Sequence, residues 1–274
     1  MKTIRLIELF AGYGSQAMAL KRLNLPFEHH FVCEFDKYAI KSYNAVHNTN
    51  FPVIDIRDVH AEDLNITDRD EYIYFMTYSF PCTDLSVAGK MQGMNRDSGT
   101  RSGLLWEVER LLRECGENLP HFLLMENVPQ VHGQNNIKDF NEWISFLDGL
   151  GYKSKWEDLN AKDFGVAQNR ERCFMVSWLE SGFCFQFPLP IPLTKTMRDY
   201  LEEEVDEKYY LKSEKAKKLI EDLVVSGELE RERESINLTY GETKRINCAN
   251  TIKTAQRGIT NRQNEENGVC EREL

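Results

Sequence analysis

In SFPCTDLSVAGK, residues 79–90, a cysteine follows a proline where a strand-forming run stops. Cysteine is usually a small buried hydrophobe, so a thiol at the mouth of a strand calls for a chemical reason. Downstream, MENV brings Glu126, and QNRER brings Gln168, Arg170 and Arg172. A thiolate can add to an electron-poor ring, a carboxylic acid can donate to a ring nitrogen, and a guanidinium can hold a carbonyl oxygen. Cys82, Glu126, Arg170 and Arg172 are therefore a candidate catalytic set, if one surface gathers them.

The rest of the chain predicts such a surface. Strand signals cover residues 3–10, 30–33, 53–56, 72–79, 121–125 and 173–178. Helical spacing covers 15–24, with Ser15 as the N-cap, and 37–47, 103–115 and 140–150. Strands separated by helices predict βαβ units, hence an α/β fold built on a parallel sheet. Ligands gather outside the carboxyl ends of such strands. That rule selects residues 10–14, Glu34 to Asp36, Asp58, Pro81 with Cys82, and Glu126 with Asn127.

FAGYG, residues 10–14, differs from the dinucleotide fingerprint but does similar work. Its glycines let the backbone turn tightly and approach a ligand closely. Glu34 follows about twenty residues later, where a carboxylate can accept both hydroxyl protons of a ribose. Phe35 offers a flat face to an adenine, and Asp58 can accept from its amino group. These residues point to an adenosine ligand. A dinucleotide wants a fuller glycine pattern around its pyrophosphate, whereas the shorter form suits a ligand without phosphates, such as S-adenosylmethionine.

Bulk properties narrow the class. The chain has 274 residues, enough for one sizeable core and a smaller lobe. No apolar run approaches the roughly 18 residues of a membrane helix, and MKTIRLIELF reads as a first strand, with no signal-peptide cleavage site. The seven cysteines are scattered and form no CxxC pair. They predict reduced thiols in a cytoplasm and no metal site. The formal net charge of -10 argues weakly against a nucleic-acid partner. Its distribution matters more: residues 241–263 carry Lys244, Arg245, Lys253, Arg257 and Arg262 against Glu242 alone. That stretch is either a local basic face or a solvated loop. FPLPIP, residues 187–192, breaks regular structure and suggests a boundary between residues 1–186 and 187–274.

FAGYGS, SFPCTDLSVAG, GTRSGLLWEV, MENV and QNRER occur in this order at suitable spacing. Together they resemble the ordered motifs of the cytosine-C5 DNA methyltransferases of bacterial or phage modification systems. The resemblance implies a Rossmann-like S-adenosylmethionine-dependent methyltransferase sheet with helices on both faces, and a small partial target-recognition region. It implies that Cys82 attacks C6 of a cytosine flipped out of double-stranded DNA, that Glu126 bonds N3 and the exocyclic amine, that Arg172 binds O2, and that Arg170 orders the site. The cofactor roles it implies fall on Phe10, Gly12, Gly14, Glu34, Phe35, Asp58, Val59, Pro81 and Leu104. DNA contacts fall on Ser86, Arg101, Thr251 and Arg257. The position after the nucleophile is Thr83, where the family often has glutamine, and altered DNA contacts are expected there.

The resemblance also implies a final helix and an asparagine–serine motif, which the sequence lacks. The expectation is a truncated chain: one half of a split enzyme, or an impaired DNA- or cofactor-binding remnant, with residues 187–274 as a partial recognition region. Candidate partners are then a cognate restriction endonuclease or a complementing C-terminal fragment, around a monomeric, cytoplasmic protein that binds no membrane.

Overall fold

The computed structural model describes residues 2–82, 85, 93–96, 99–179 and 182–200, isolated positions between 202 and 225, and four short strands beyond them. Ser86, Thr251, Arg257 and Thr83 lie outside the described residues. The chain divides into two compact units. The first is Met1–Leu159 with Arg172–Phe187; the second is Asn160–Glu171 with Pro188–Leu274.

The strands are β1 (Ile4–Leu9), β2 (Phe27–Cys33), β3 (Ile73–Tyr78), β4 (Phe122–Asn127), β5 (Lys153–Asn160), the two-residue β6 (Gln168–Asn169) and β7 (Glu171–Trp178). Six of them form one sheet in the order β2-β1-β3-β4-β7-β5. β1 pairs parallel with β2 and β3, and β3 pairs parallel with β4. The sheet is not wholly parallel, however: β7 runs antiparallel to β4. Its first residues therefore meet the last residues of β4, on the rim where the parallel strands end.

Among the described residues, the unit's α-helices are α1 (Ser15–Arg22), α2 (Lys37–His47), α3 (Leu105–Cys115) and α4 (Ile137–Gly149). β1 alternates as a strand must. Ile7 and Leu9 join one core with Leu105, Val108, Leu111 and Leu112 of α3 and Phe140, Trp143 and Leu147 of α4. Leu6 packs with Ala17 and Leu20 of α1, while Val32 of β2 packs with Ile40 and Tyr43 of α2. Each fully buried aliphatic side chain contributes roughly 1.5–3 kcal/mol. Glu8 breaks the pattern, because it is a carboxylate with no exposed surface in the middle of that strand.

Two sequence expectations fail, and one strand was not expected, each for an identifiable reason. Residues 53–56 form no strand. Asp55 instead accepts from the backbone N–H of Arg57 and turns the chain into a 3-10 segment, Ile56–Asp58. Ser15 is not the N-cap of α1. Gly14 takes that position at φ +81°, so Ser15 is already the first residue of the helix. β5 carries four charged residues in KSKWEDLN and lies at the sheet edge, so it gives little apolar signal.

In the second unit, β6 pairs with β10 (Ala249–Asn250), once β8 (Glu234–Asn237) and β9 (Lys244–Arg245) have passed. β8 pairs antiparallel with β9 and with β11 (Asn267–Cys270). Among the described residues, no helix is long and apolar enough to cross a membrane.

Candidate active site

The glycine turn leaves β1 through three left-handed residues, Phe10 (φ 57°), Gly12 (φ 57°) and Gly14 (φ 81°). Glycine adopts that region freely, but a phenylalanine there costs roughly 1–2 kcal/mol. Backbone bonds hold the shape: Ala11 N donates to the Cys33 carbonyl at 3.1 Å, and Gly14 N to that of Ala11 at 2.9 Å. Glu34, at the end of β2, ties the turn to the start of α2. Its Oε2 accepts from Gly12 N and its Oε1 from Asp36 N, both at 2.8 Å. A Cβ on Gly12 would meet nothing within 4 Å, so the space beside the turn is open. Phe35 leaves its ring 69% exposed next to the carboxylate.

Open backbone, an acceptor with lone pairs to spare and a bare aromatic face fit the adenosine half of S-adenosylmethionine. Asp58 is exposed. Val59 differs: its side chain is buried in the core, and its carbonyl accepts from Arg110 Nη2 at 2.8 Å.

The cysteine turn follows β3. Phe80 is buried; Pro81 and Cys82 are half-buried. Three carbonyls in a row are engaged. Phe80 accepts from Asn127 Nδ2 at 3.0 Å, Pro81 from Ser102 Oγ at 2.7 Å, and Cys82 from Leu85 N at 3.1 Å. Asn127 is itself fixed by Val128 N, which donates to its Oδ1 at 2.8 Å. Leu104 and Cys82 pack against the same core, and Arg101 is exposed just ahead of Ser102.

Glu126 stands one residue before Asn127, and its Oε1 meets Arg172 Nε at 3.1 Å. The antiparallel pairing explains this, since Asn127 faces Cys173 and Glu126 faces Phe174. The rim thus carries the Cys82 turn, Glu126 and Arg172. Arg170 belongs to the second unit. Its N–H donates to Asn160 Oδ1 at 3.0 Å, and its carbonyl accepts from Ala161 N at 2.9 Å.

Burial pushes the Cys33 and Cys173 thiols up to about 12 and that of Cys115 up to about 11, which keeps those three protonated. The ligand atoms of His132, Asp158 and Cys173 lie within 4.8 Å of one another. His132 Nε2 is 3.0 Å from both Asp158 oxygens, and Asp158 also accepts from the Cys173 thiol. These groups satisfy one another as a polar brace between β5 and β7.

Sequence reasoning missed the positioning roles of Asn127 and Ser102, and the burial of Glu8. The signal for Glu8 was visible as a charge at an inward position of an apolar strand. For Ser102 there was none.

The family model described as C-5 cytosine-specific DNA methylase matches residues 4–272. Type II methyltransferase M2.ScrFI of Lactococcus lactis subsp. cremoris is 38% identical over 258 residues, which cover 77% of this chain and 71% of that protein. The orphan methyltransferase M.SssI of Spiroplasma monobiae is 34% identical over 260 residues, 76% of this chain and 67% of that protein. Among solved structures, the S. pombe Dnmt2 methyltransferase matches with a TM-score of 0.61 and 24% identity, over 77% of this chain and 64% of that one. That last likeness shows the fold, a Rossmann-like methyltransferase sheet. The chain spans roughly two thirds of the length of these proteins.

Proposed function

Because this chain belongs to the C-5 cytosine-specific DNA methylase family, whose enzymes use S-adenosylmethionine, we propose that it methylates C5 of a flipped-out cytosine in double-stranded DNA through a covalent Cys82 adduct. The observation that carries this reading is the Glu126–Arg172 pair on the rim to which Asn127 ties the Cys82 turn.

The target carbon explains the residue types. C5 of cytosine is a poor nucleophile. The Cys82 thiolate adds to C6, forming the Sγ–C6 bond and moving the C5–C6 π electrons so that C5 becomes an enamine carbon. Glu126 bonds N3 and the exocyclic amine, which supports protonation at N3, and Arg172 holds O2. Bound S-adenosylmethionine supplies an electrophilic methyl group on a sulfonium. C5 takes that methyl group as its bond to sulfur breaks, the pair remaining on the departing neutral thioether; a base then removes the C5 proton, and the returning electrons restore the double bond and expel the Cys82 thiolate. Glu34 and Phe35 hold the ribose and adenine, with Phe10, Gly12, Gly14, Asp58, Val59, Pro81 and Leu104 around them.

Extrusion of the base costs a few kcal/mol of stacking. Contacts from Ser86, Arg101, Thr251 and Arg257 offset that cost in this reading, with residues 187–274 as recognition region, and Arg170 orders the site. Relatives of the type II kind support a companion endonuclease, and orphan relatives oppose it.

The experiment uses duplexes carrying 5-fluorocytosine in many sequence contexts, with S-adenosylmethionine. Fluorine blocks loss of the C5 substituent, so the reading expects a covalent protein–DNA adduct that Cys82→Ala abolishes. Intact binding of both ligands with no adduct would overturn it.

A further inference from the structure

Glu8 is a carboxylate with no exposed surface, and the two groups that donate to it are a backbone N–H and a phenol hydroxyl, neither of them a cation. Its Oε1 accepts from Ala17 N at 3.3 Å, in the first turn of α1, a helix whose own N-cap supplies no side chain. Its Oε2 lies 2.5 Å from the Tyr43 hydroxyl, which lies 2.6 Å from His29 Nδ1. Burial pushes Glu8 up from 4.5 to about 7, against the opposing effects of Tyr43 and Ala17, and pushes His29 down.

Tyr43, together with His47, also forms the seat of the glycine turn. A Cβ on Gly14 would sit 2.3 Å from His47 Nε2 and 2.6 Å from Tyr43 Cε2. His47 Nε2 donates to the Tyr13 carbonyl at 3.0 Å, and the His47 ring lies 4.9 Å from that of His29. The groups facing this chain are therefore Tyr43 and His47 of α2, His29 of β2, Lys21 of α1 and Tyr13 of the turn. The paired strands set uncharged Val32 and Thr77 opposite Glu8.

Tyr43 has one hydroxyl proton for two neighbours. With Glu8 ionised, Tyr43 donates to it and accepts from His29 Nδ1–H. With Glu8 protonated, Glu8 donates to the Tyr43 oxygen and Tyr43 donates to His29 Nδ1. A single proton gained or lost thus reverses both bonds of the Glu8–Tyr43–His29 chain, with His29 moving its own proton from Nδ1 to Nε2.

We propose that Glu8 is a positioning residue for the cofactor turn, acting through the proton it shares with Tyr43 and His29, so that S-adenosylmethionine binds more tightly when Glu8 is ionised. This rests on the cofactor reading above. The direction follows from charge. The ionised carboxylate complements both the N-terminus of α1 and a cationic sulfonium, in surroundings that screen poorly. Linkage makes the effect reciprocal, so binding the cation expels a proton from Glu8.

Calorimetry of the whole chain between pH 6 and 8.5, in two buffers of different ionisation enthalpy, tests this. The probes are S-adenosylmethionine and its neutral thioether, S-adenosylhomocysteine. Affinity for the cation is expected to rise about tenfold from pH 6 to 8, within the usual range of coupling, with proton release near pH 7. The thioether should respond less. Glu8→Gln reproduces the protonated hydrogen-bonding pattern and should remove the rise and the release. The cofactor's own groups titrate equally against both proteins, so the difference belongs to Glu8. Tyr43→Phe keeps Glu8 but cuts its link to His29, and should move the midpoint upward. Binding whose pH profile is unchanged in both variants would overturn the coupling alone. No binding by the wild-type chain at any pH would overturn the cofactor reading and the coupling with it.

Discussion

Two turns share the rim of one sheet and are braced by opposite means. The glycine turn after β1 rests on Tyr43 and His47, and Tyr43 is bonded in turn to the ionisable Glu8 and His29. The cysteine turn after β3 is held through its carbonyls by two neutral donors, Asn127 and Ser102. An amide and a hydroxyl do not titrate in the working range of a protein. Their hold on the Cys82 turn therefore does not change with pH. The glycine turn has no such insulation. Its support changes with a proton, which is tolerable where the ligand is merely bound and harmful where bonds must form at fixed distances.

The largest blow to this contrast is Gly14→Ala. The left-handed backbone costs an L-residue roughly 1–2 kcal/mol, and overpacking against Tyr43 and His47 adds roughly 1–3 kcal/mol. Urea denaturation should show a loss of about 2–5 kcal/mol; a loss near zero would mean that the turn is not seated on those rings. Next comes pH. The folded chain keeps the Glu8 proton up to about 7, whereas the unfolded chain loses it near 4.5. Stability from this group is complete below 4.5, falls as pH rises through that window, and is gone above 7, by about 3 kcal/mol at most. Glu8→Gln should flatten the decline in unfolding free energy measured across the window. Wild-type stability rising there on account of Glu8 would contradict the burial argument.

The contrast was only half legible in the sequence. The α/β order, α2 and the strand before Cys82 followed from periodicity, because their apolar residues face cores that demand it. Glu126 and Cys82 stood out as reactive types at strand ends. The approach of Arg172 to Glu126 depends on β7 running antiparallel, and strand direction leaves no mark on a run such as CFMVSW. Likewise Asn127 was visible in MENV, but its bond to the Phe80 carbonyl joins residues 47 apart. Such a contact is fixed by tertiary packing, not by local pattern. The failed strand at 53–56 teaches the converse, since a side-chain acceptor at Asp55 overrode a β-forming run.

Asn127→Ala should cost about 2 kcal/mol, because it leaves the buried Phe80 carbonyl without that donor. The cysteine-side account requires this loss to be the same at pH 6 and pH 8. A pH-dependent loss would show that this brace, too, is coupled to a titrating group.

The smallest expected effect is the most selective. The Asp36 side chain accepts from Tyr38 N at 2.7 Å and Ala39 N at 3.0 Å, capping the helix that carries Tyr43 and His47. Asp36→Ala removes that cap at a cost of about 1 kcal/mol, yet keeps the backbone N–H that binds Glu34. Fraying at the first turn of α2 is two turns away from Tyr43. Stability should therefore drop uniformly across pH, while the Glu8 midpoint, followed by carboxyl carbon resonances, stays where it is. A midpoint that moved with the cap would mean that the ionisable brace is set by the whole of α2 and not by the Glu8–Tyr43–His29 contact itself.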